Sequence, residues 1–178
     1  MKNIEEIEND ILCGKEFEEI VKEFSWKEFE EIVSEILEKN EFNVIKNFRF
    51  KTTKRYEIDL IGIKDDFLIL IDCKHWSSGR NKTSMLKKSA NKHEERNIEF
   101  NKFLEIKPEF KSRFCMKKRT KIFSLLVTWY EEFIKKENST LIVPLWKLNN
   151  FLNNELYKLK PFKYINQDIC SDVYGKKV

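Results

Sequence analysis

Residues 58–76, which read IDLIGIKDDFLILIDCKHW, decide the fold of this chain. An aspartate near the start of the stretch is followed by a polar turn signal and then by a nearly unbroken apolar run. That run ends in Asp72, Cys73 and Lys74. Charged side chains at the tip of an apolar strand are costly to bury unless they face a cleft or a ligand. This stretch is therefore the first place where chemistry is expected.

The bulk composition suits one compact domain of 178 residues with a hydrophobic core of its own. Its formal net charge of +4 hides an uneven distribution, because residues 1–41 carry 5 basic and 14 acidic side chains, whereas residues 74–121 carry 15 basic and 5 acidic ones. A positive surface beside a carboxylate cluster suggests a polyanionic partner. A solvated helix face is the alternative explanation for the lysines.

The N-terminus and the apolar runs bear on location. The first ten residues, MKNIEEIEND, contain no apolar signal core, and no apolar run approaches the roughly 18 residues that a membrane span needs. We therefore expect a cytoplasmic protein with no membrane partner.

The chain divides into three predicted parts. Residues 1–24 contain two short acidic segments with helical spacing, separated by Gly14, and are expected to form a helical N-terminal extension packed on the main body. Residues 25–160 form the predicted domain, and residues 161–178 a C-terminal tail.

The domain opens with a helix that begins after a capping box made by Ser25 and Glu28. The apolar stripe of this helix consists of Trp26, Phe29, Val33, Ile36 and Leu37. Glu30 falls inside that stripe, where an acidic side chain needs a partner. A buried salt bridge or an edge residue reaching solvent would also account for its position.

Three strands over 42–50, 56–63 and 67–74 follow, joined by short turns, and predict an antiparallel meander with the apolar third strand at the centre. The later predicted elements are a polar helix over 83–106, or two broken helices, strands over 121–129 and 140–146, and a helix over 147–157. The pattern predicts an α/β fold, with a mixed central β-sheet flanked by α-helices.

Strand periodicity places Asp72 and Lys74 side by side on one face of the third strand. A short hairpin brings Asp59 of the preceding strand back toward Asp72. Two carboxylates in an apolar setting repel each other unless a cation intervenes, and carboxylate oxygens are the ligands that Mg²⁺ prefers. The alternative is an edge salt bridge between Asp72 and Lys74, with Asp59 solvated.

These residues resemble the PD-(D/E)xK nuclease superfamily, in particular its Mrr-type restriction endonuclease and archaeal Holliday junction resolvase branches. The resemblance covers residues 25–76 and depends on a helix glutamate, a turn, an aspartate and an acidic-x-lysine strand end, which are here Glu30, Glu41-Phe42, Asp59 and Asp72-Cys73-Lys74. Two positions depart from the pattern: Ile58 replaces a proline, and Glu41 stands where a glycine is usual.

The resemblance implies a restriction-endonuclease-like core and a Mg²⁺-dependent endonuclease that hydrolyses DNA, with Mn²⁺ as a substitute metal. It assigns Asp59 and Asp72 as metal-binding carboxylates, Lys74 as the catalytic lysine, Glu30 as the helix carboxylate and the Cys73 carbonyl as a further metal ligand. The implied partner is double-stranded or branched DNA, and a second copy of the chain is a candidate partner. The alternative is a catalytically inactive DNA-binding module, or a subunit of a larger nucleic-acid-processing assembly.

Basic residues on both sides of the third strand are candidate phosphate contacts that read no base sequence. They are Lys51, Lys54, Arg55, His75, Arg80, Lys82, Lys87, Lys88, Lys92 and Arg96.

Overall fold

A computed structural model describes residues 4–75, 82–114 and 119–166. The elements in chain order are α1 (Ile4–Leu12), α2 (Phe17–Lys22), α3 (Trp26–Lys39), β1 (Asn43–Lys51), β2 (Arg55–Lys64), β3 (Phe67–Lys74), α4 (Lys82–Ile106), α5 (Glu109–Arg113), β4 (Arg119–Thr128), β5 (Lys136–Glu137), β6 (Thr140–Pro144), α6 (Leu145–Asn150) and β7 (Lys163–Asn166). A π-helical turn, Phe151–Glu155, and a 3₁₀ turn, Leu156–Lys158, continue from α6.

The strands form one mixed sheet in the order β1-β2-β3-β4-β6-β5, with β7 also paired to β4. The first three strands are antiparallel, whereas β4 runs parallel to β3 and β6 runs parallel to β4. Strand β3 therefore lies inside the sheet, which explains its apolar sequence, because both of its faces are covered. The predicted mixed sheet flanked by helices is confirmed.

The sheet has a hydrophobic cluster on each face. On one face, α3 and α6 pack over Ile69, Ile71 and Cys73 of β3. On the other face, α4 packs its phenylalanines over Leu68 and Leu70. The alternation of β3 thus sends the even-numbered residues toward α4 and the odd-numbered residues toward α3.

Helix α3 begins with the predicted capping box: the Ser25 side chain accepts a hydrogen bond from the Glu28 backbone, and the Glu28 carboxylate accepts one from the Ser25 backbone. Glu30 is buried as predicted, with 7% of its surface exposed. Trp26 was predicted to lie on the apolar stripe, but it is 49% exposed. As the first residue of the helix, it lies beyond the edge of the core that the later turns cover.

Several element boundaries differ from the prediction. Helix α4 is one continuous helix of 25 residues. The strand predicted over 140–146 ends at Pro144, and α6 starts directly after it. Strands β5 and β7 were not predicted, and β7 pairs with β4 although its residues were assigned to a tail. Strands this short carry too few alternating residues to show a period.

The predicted N-terminal helices pack on the α3 face, where Ile7, Ile20 and Phe24 join the core. None of the helices in the described ranges is long and apolar enough to cross a membrane.

Candidate active site

The candidate site lies at the C-terminal end of β3, where the pairing between β2 and β3 stops. The last antiparallel pair joins Leu60 to Ile71. One step further in the same register, Asp59 would face Asp72. There the Asp59 carboxylate accepts a hydrogen bond from the Cys73 backbone amide, with 2.8 Å between Oδ2 and N. A side chain thus takes a backbone donor of β3, which holds Asp59 beside the strand end.

Asp72 is 1% exposed and contacts two cations. Lys74 Nζ lies 2.5 Å from its Oδ2, and Arg96 Nη2, from α4, lies 2.7 Å from its Oδ1. Burial raises the pKa of the Asp72 carboxyl, but His93, Arg96 and Lys74 together lower it by more, so the net shift is downward. Asp72 is therefore ionised at neutral pH.

The pKa values of the other two carboxyl groups, Asp59 and Glu30, are raised instead of lowered. Burial, followed by the charge of Asp72, raises the pKa of Asp59 to about 6, although the Cys73 amide and the cations oppose the rise. Burial, followed by the charge of Asp59, raises the pKa of Glu30 to about 7. These shifts show that the three acids repel one another across a shared region.

Glu30 reaches this region from α3, on the opposite side of the sheet from Arg96. Among the described residues, its buried Oε1 has no hydrogen-bond partner. Neither the buried salt bridge nor the edge position weighed from the sequence fits a buried carboxylate with an unpaired oxygen.

The four sequence-predicted residues Glu30, Asp59, Asp72 and Lys74 therefore come together at one end of the sheet. The predicted salt-bridge alternative holds only in part, because Lys74 does pair with Asp72, whereas Asp59 is only 6% exposed.

Cys73 contributes only its backbone here. Its thiol is buried, and burial raises the pKa of the thiol well above the ordinary value. A buried neutral thiol is a poor metal ligand. The carbonyl of Cys73 stays the predicted ligand.

No group of three or more histidine, cysteine, aspartate or glutamate side chains in the described ranges is arranged to hold a metal ion. Mg²⁺ does not need such a group, because it is commonly bound through one or two carboxylates and several waters. Asp59 and Asp72 are the pair of carboxylates predicted for this role.

His75 extends β3 and was predicted to contact phosphate. Its ring instead lies against Phe29 and Trp129, with ring centroids 6.2 and 5.9 Å apart. In the described part of the chain, its Nε2 is buried and has no hydrogen-bond partner. His75 directly follows the last residue of β3 and continues the odd-numbered alternation that faces α3, which explains this placement.

The predicted phosphate contacts form two exposed groups. Lys51, Lys54 and Arg55 lie around the β1–β2 turn, and Lys54 pairs with Glu95 of α4 at 2.8 Å. Lys87, Lys88 and Lys92 are exposed on α4, where Lys87 lies 4.0 Å from Glu137. The side chain of Lys82, at the start of α4, and the whole of Arg80 lie outside the described residues.

Arg96 was predicted to contact phosphate, but its guanidinium faces Asp72. It is also held by the backbone, since Nη1 donates to the Glu57 carbonyl at 3.2 Å and Nε donates to the Lys92 carbonyl at 3.5 Å. Sequence reasoning missed this pairing because it depends on how α4 is rotated over β3. A signal in the sequence is that Arg96 directly precedes Asn97 and follows His93 by three positions, two residues that form part of the buried stripe of α4.

His93 was not among the predicted site residues. It is fully buried, and its Nε2 lies 2.9 Å from the Leu70 carbonyl, so this nitrogen carries the proton of the neutral ring. Burial lowers the pKa of His93 to about 4. The residue is therefore a neutral core group beneath the site.

Comparison with protein-family models identifies the family of this chain. The family model of the nuclease-related domain (NERD) matches residues 25–128. The match spans the helix with Glu30, both strands that carry the aspartates, and Lys74. The fold and the site define a protein of the PD-(D/E)xK nuclease superfamily, so the resemblance seen in the sequence is confirmed. Within it, the chain belongs to the nuclease-related domain family.

Two further likenesses were found. An uncharacterized protein of Archaeoglobus fulgidus is 27% identical over 141 residues, which cover 79% of this chain and 98% of that protein. The small subunit of the heterodimeric restriction endonuclease R.BspD6I matches with a TM-score of 0.43 and 16% identity, over 87% of this chain and 82% of that subunit.

Proposed function

We propose that this protein is a Mg²⁺-dependent endonuclease that hydrolyses phosphodiester bonds in double-stranded or branched DNA. The observation that carries the proposal is the meeting of Asp59, Asp72 and Lys74 at the end of β3, with one oxygen of Asp59 fixed by the Cys73 amide. Membership of a nuclease-related family supports hydrolysis of nucleic acid. The choice of DNA and the metal dependence belong to the proposal.

Asp59 and Asp72 would hold the divalent cation through carboxylate oxygens. When bound, Mg²⁺ supplies charge neutralisation at a phosphoryl oxygen and lowers the pKa of a coordinated water. Burial is the largest cause of the raised pKa of Asp59 and repulsion from Asp72 is the next, and a cation in this place would relieve that repulsion.

Lys74 and Glu30 supply the remaining functional groups. The Lys74 ammonium, 20% exposed at the strand end, neutralises negative charge that develops on the phosphate. The Glu30 carboxyl, with its pKa raised to about 7, exchanges a proton near neutral pH and can accept one from the attacking water at Oε1.

One observation favours the second candidate, a DNA-binding module without turnover. Both oxygens of Asp72 already contact cations of the chain itself, an arrangement that balances the buried charge without a metal. In that case the lysines of the β1–β2 turn and of α4 would grip the phosphate backbone without cleavage.

Cleavage assays separate the two candidates. The purified protein is incubated with plasmid duplex, single strands or a synthetic four-way junction, in Mg²⁺, Mn²⁺ or EDTA. We expect cutting that requires a divalent metal and that is lost in Asp72→Asn. A matched control is Asp66→Asn, because Asp66 lies at the opposite end of β3 and pairs with Lys121 at 2.8 Å.

The nuclease proposal is abandoned if wild type cuts none of these substrates with either metal, or if Asp72→Asn cuts as well as wild type. DNA binding that weakens steeply with salt, in the absence of cutting, would establish the binding module.

A further inference from the structure

Arg96 approaches the candidate metal site from α4 and is not one of the acidic and lysine residues on β2 and β3 that carry the superfamily resemblance. Its guanidinium contacts Asp72 Oδ1 at 2.7 Å and comes from α4, 24 positions further along the chain. Its side chain is 21% exposed, whereas that of Asp72 is 1% exposed. Arg96 thus closes the solvent side of a buried carboxylate.

Arg96 and a metal ion would compete for the same carboxylate, Asp72, because both are positively charged. Asp72 carries one negative charge, and Lys74 already lies 2.5 Å from its other oxygen. A divalent cation on Asp72, together with Lys74 and Arg96, would place four positive charges against the charges of Asp72 and Asp59. Repulsion at contact distance in a partly buried site costs several kcal/mol, so one of the cations must move.

Arg96 is better able to move than Lys74. The backbone of Lys74 lies in β3, two residues from Asp72 on the same strand face, which keeps its ammonium beside the carboxylate. Arg96 is a long side chain whose hydrogen bonds to the Glu57 and Lys92 carbonyls keep it near the site after it leaves the carboxylate. It also follows Lys88 and Lys92 at intervals of four residues, so the three form a row of cations along one side of α4.

We propose that Arg96 is an exchangeable counter-ion of Asp72, which neutralises this carboxylate in the metal-free protein and gives up Oδ1 when a divalent cation binds. The inference rests on the proposed metal site. It makes Arg96 a positioning residue that lowers metal affinity and keeps Asp72 ionised and in place until the metal arrives. The Asp72 contacts that favour a metal-free binding module thereby become the resting state of a nuclease.

The test measures metal affinity directly. Mn²⁺ binding is followed by the electron paramagnetic resonance signal of free Mn²⁺ in wild type, Arg96→Met and Arg49→Met. Arg49 is the matched control, since it pairs with Glu57 at 2.8 Å and is 76% exposed. We expect Arg96→Met to bind Mn²⁺ about tenfold or more tightly than wild type, in the usual range of coupling between two sites, and Arg49→Met to match wild type.

The effect of Mn²⁺ on thermal unfolding provides a readout that a merely structural arginine would not change. Without metal, Arg96→Met is expected to unfold at a lower temperature than wild type, because Lys74 is then the counter-ion left to Asp72 among the described residues. Saturating Mn²⁺ should remove most of that difference, because the metal replaces the lost charge. If Arg96→Met does not fold, Arg96→Gln, which keeps a hydrogen-bond donor, takes its place.

Equal or weaker Mn²⁺ affinity in the Arg96 variant, or a stability loss that saturating Mn²⁺ leaves unchanged, overturns the inference. These results differ from a failure of the proposed function. If wild type cuts DNA but the Arg96 variant binds Mn²⁺ no more tightly than wild type does, the counter-ion role is refuted and the nuclease proposal is not. If wild type cuts no DNA but the Arg96 variant binds Mn²⁺ more tightly, the counter-ion role is supported and the nuclease proposal is refuted.

Discussion

At the scale of single residues, the three carboxyl groups of the candidate site have different surroundings. Asp72 contacts two cations and Asp59 accepts a hydrogen bond from a backbone amide, whereas Oε1 of Glu30 has no hydrogen-bond partner among the described residues. The pKa of Asp72 is accordingly lowered, and the pKa values of Asp59 and Glu30 are raised. Such a separation supports the different tasks proposed for these chemically similar groups, a permanent anion at Asp72 and a proton acceptor at Glu30.

Replacing Lys74 tests its catalytic role. Lys74→Met should lower the rate of DNA cleavage by about 10² to 10³, because a donor that stabilises developing charge is lost. The initial rate of plasmid nicking measures this change, and DNA affinity is measured separately. Lys121→Met is the control, since Lys121 pairs with Asp66 at the other end of β3. A Lys74→Met rate within a few-fold of wild type would refute the assignment.

His93 predicts a pH dependence of stability. Its pKa is lowered from 6.5 to about 4, chiefly by burial, with Asp72 opposing and Arg96 and Lys74 reinforcing the shift. The unfolded chain therefore binds an extra proton between these values. The contribution is fully present above pH 6.5 and is lost as the pH falls toward 4, by about 3 kcal/mol in total.

The measurement is urea unfolding of wild type and His93→Gln from pH 7.5 to 4. The difference between the two proteins isolates the histidine, because the raised pKa values of Glu30 and Asp59 act in the opposite direction in both. A free-energy difference that does not vary with pH would mean that His93 is protonated or solvated in the folded state.

At the scale of elements, the end of α3 explains one departure from the superfamily pattern. Glu41, where a glycine is usual, has a φ of +64°. The Glu41 amide donates to the Glu38 carbonyl and the Phe42 amide donates to the Leu37 carbonyl, at 2.9 and 3.0 Å. These two bonds define a Schellman motif, in which the residue with positive φ is preferably glycine. The turn therefore has the backbone conformation that favours glycine, although glutamate occupies the position.

The substitution Glu41→Gly should stabilise the protein by about 1 kcal/mol, because glycine adopts positive φ without a steric penalty. The gain is measured as a higher denaturation midpoint. Glu41→Ala is the control, since it also removes the ion pair with Lys64, at 3.0 Å, but keeps a Cβ at the strained position. Equal effects of both substitutions would show that the ion pair, and not the backbone, governs this turn.

At the scale of the whole molecule, the basic residues of the sequence lie on a surface near the candidate site. Exposed lysines of α4 and of the β1–β2 turn lie on the elements that flank Arg96 and Glu57. Acidic α1 and α2 instead pack on the α3 face. The basic block of the sequence is thereby brought to the side of the sheet that faces α4.

This arrangement predicts salt-dependent DNA binding. Lys88→Gln and Lys92→Gln should each weaken binding and lower the slope of log K against log salt by about 1, because each removes one phosphate contact. Fluorescence anisotropy with a duplex in EDTA measures the slope. Lys39→Gln is the control, because Lys39 lies at the end of α3 away from Lys74 and pairs with Glu35. An equal effect of all three would indicate a general charge effect.

The sequence by itself determined the mixed sheet, the central position of β3 and the four residues Glu30, Asp59, Asp72 and Lys74, because hydrophobic periods and turn signals act over a few neighbouring residues. Only the tertiary structure decided the partners of those residues. The Arg96 contact with Asp72, the packing of His75 on Trp129 and the pairing of β7 with β4 join segments that are distant in the chain. Such contacts depend on how the helices are rotated against the sheet and on where the strands end. The spacing of apolar residues along the sequence contains no information about either.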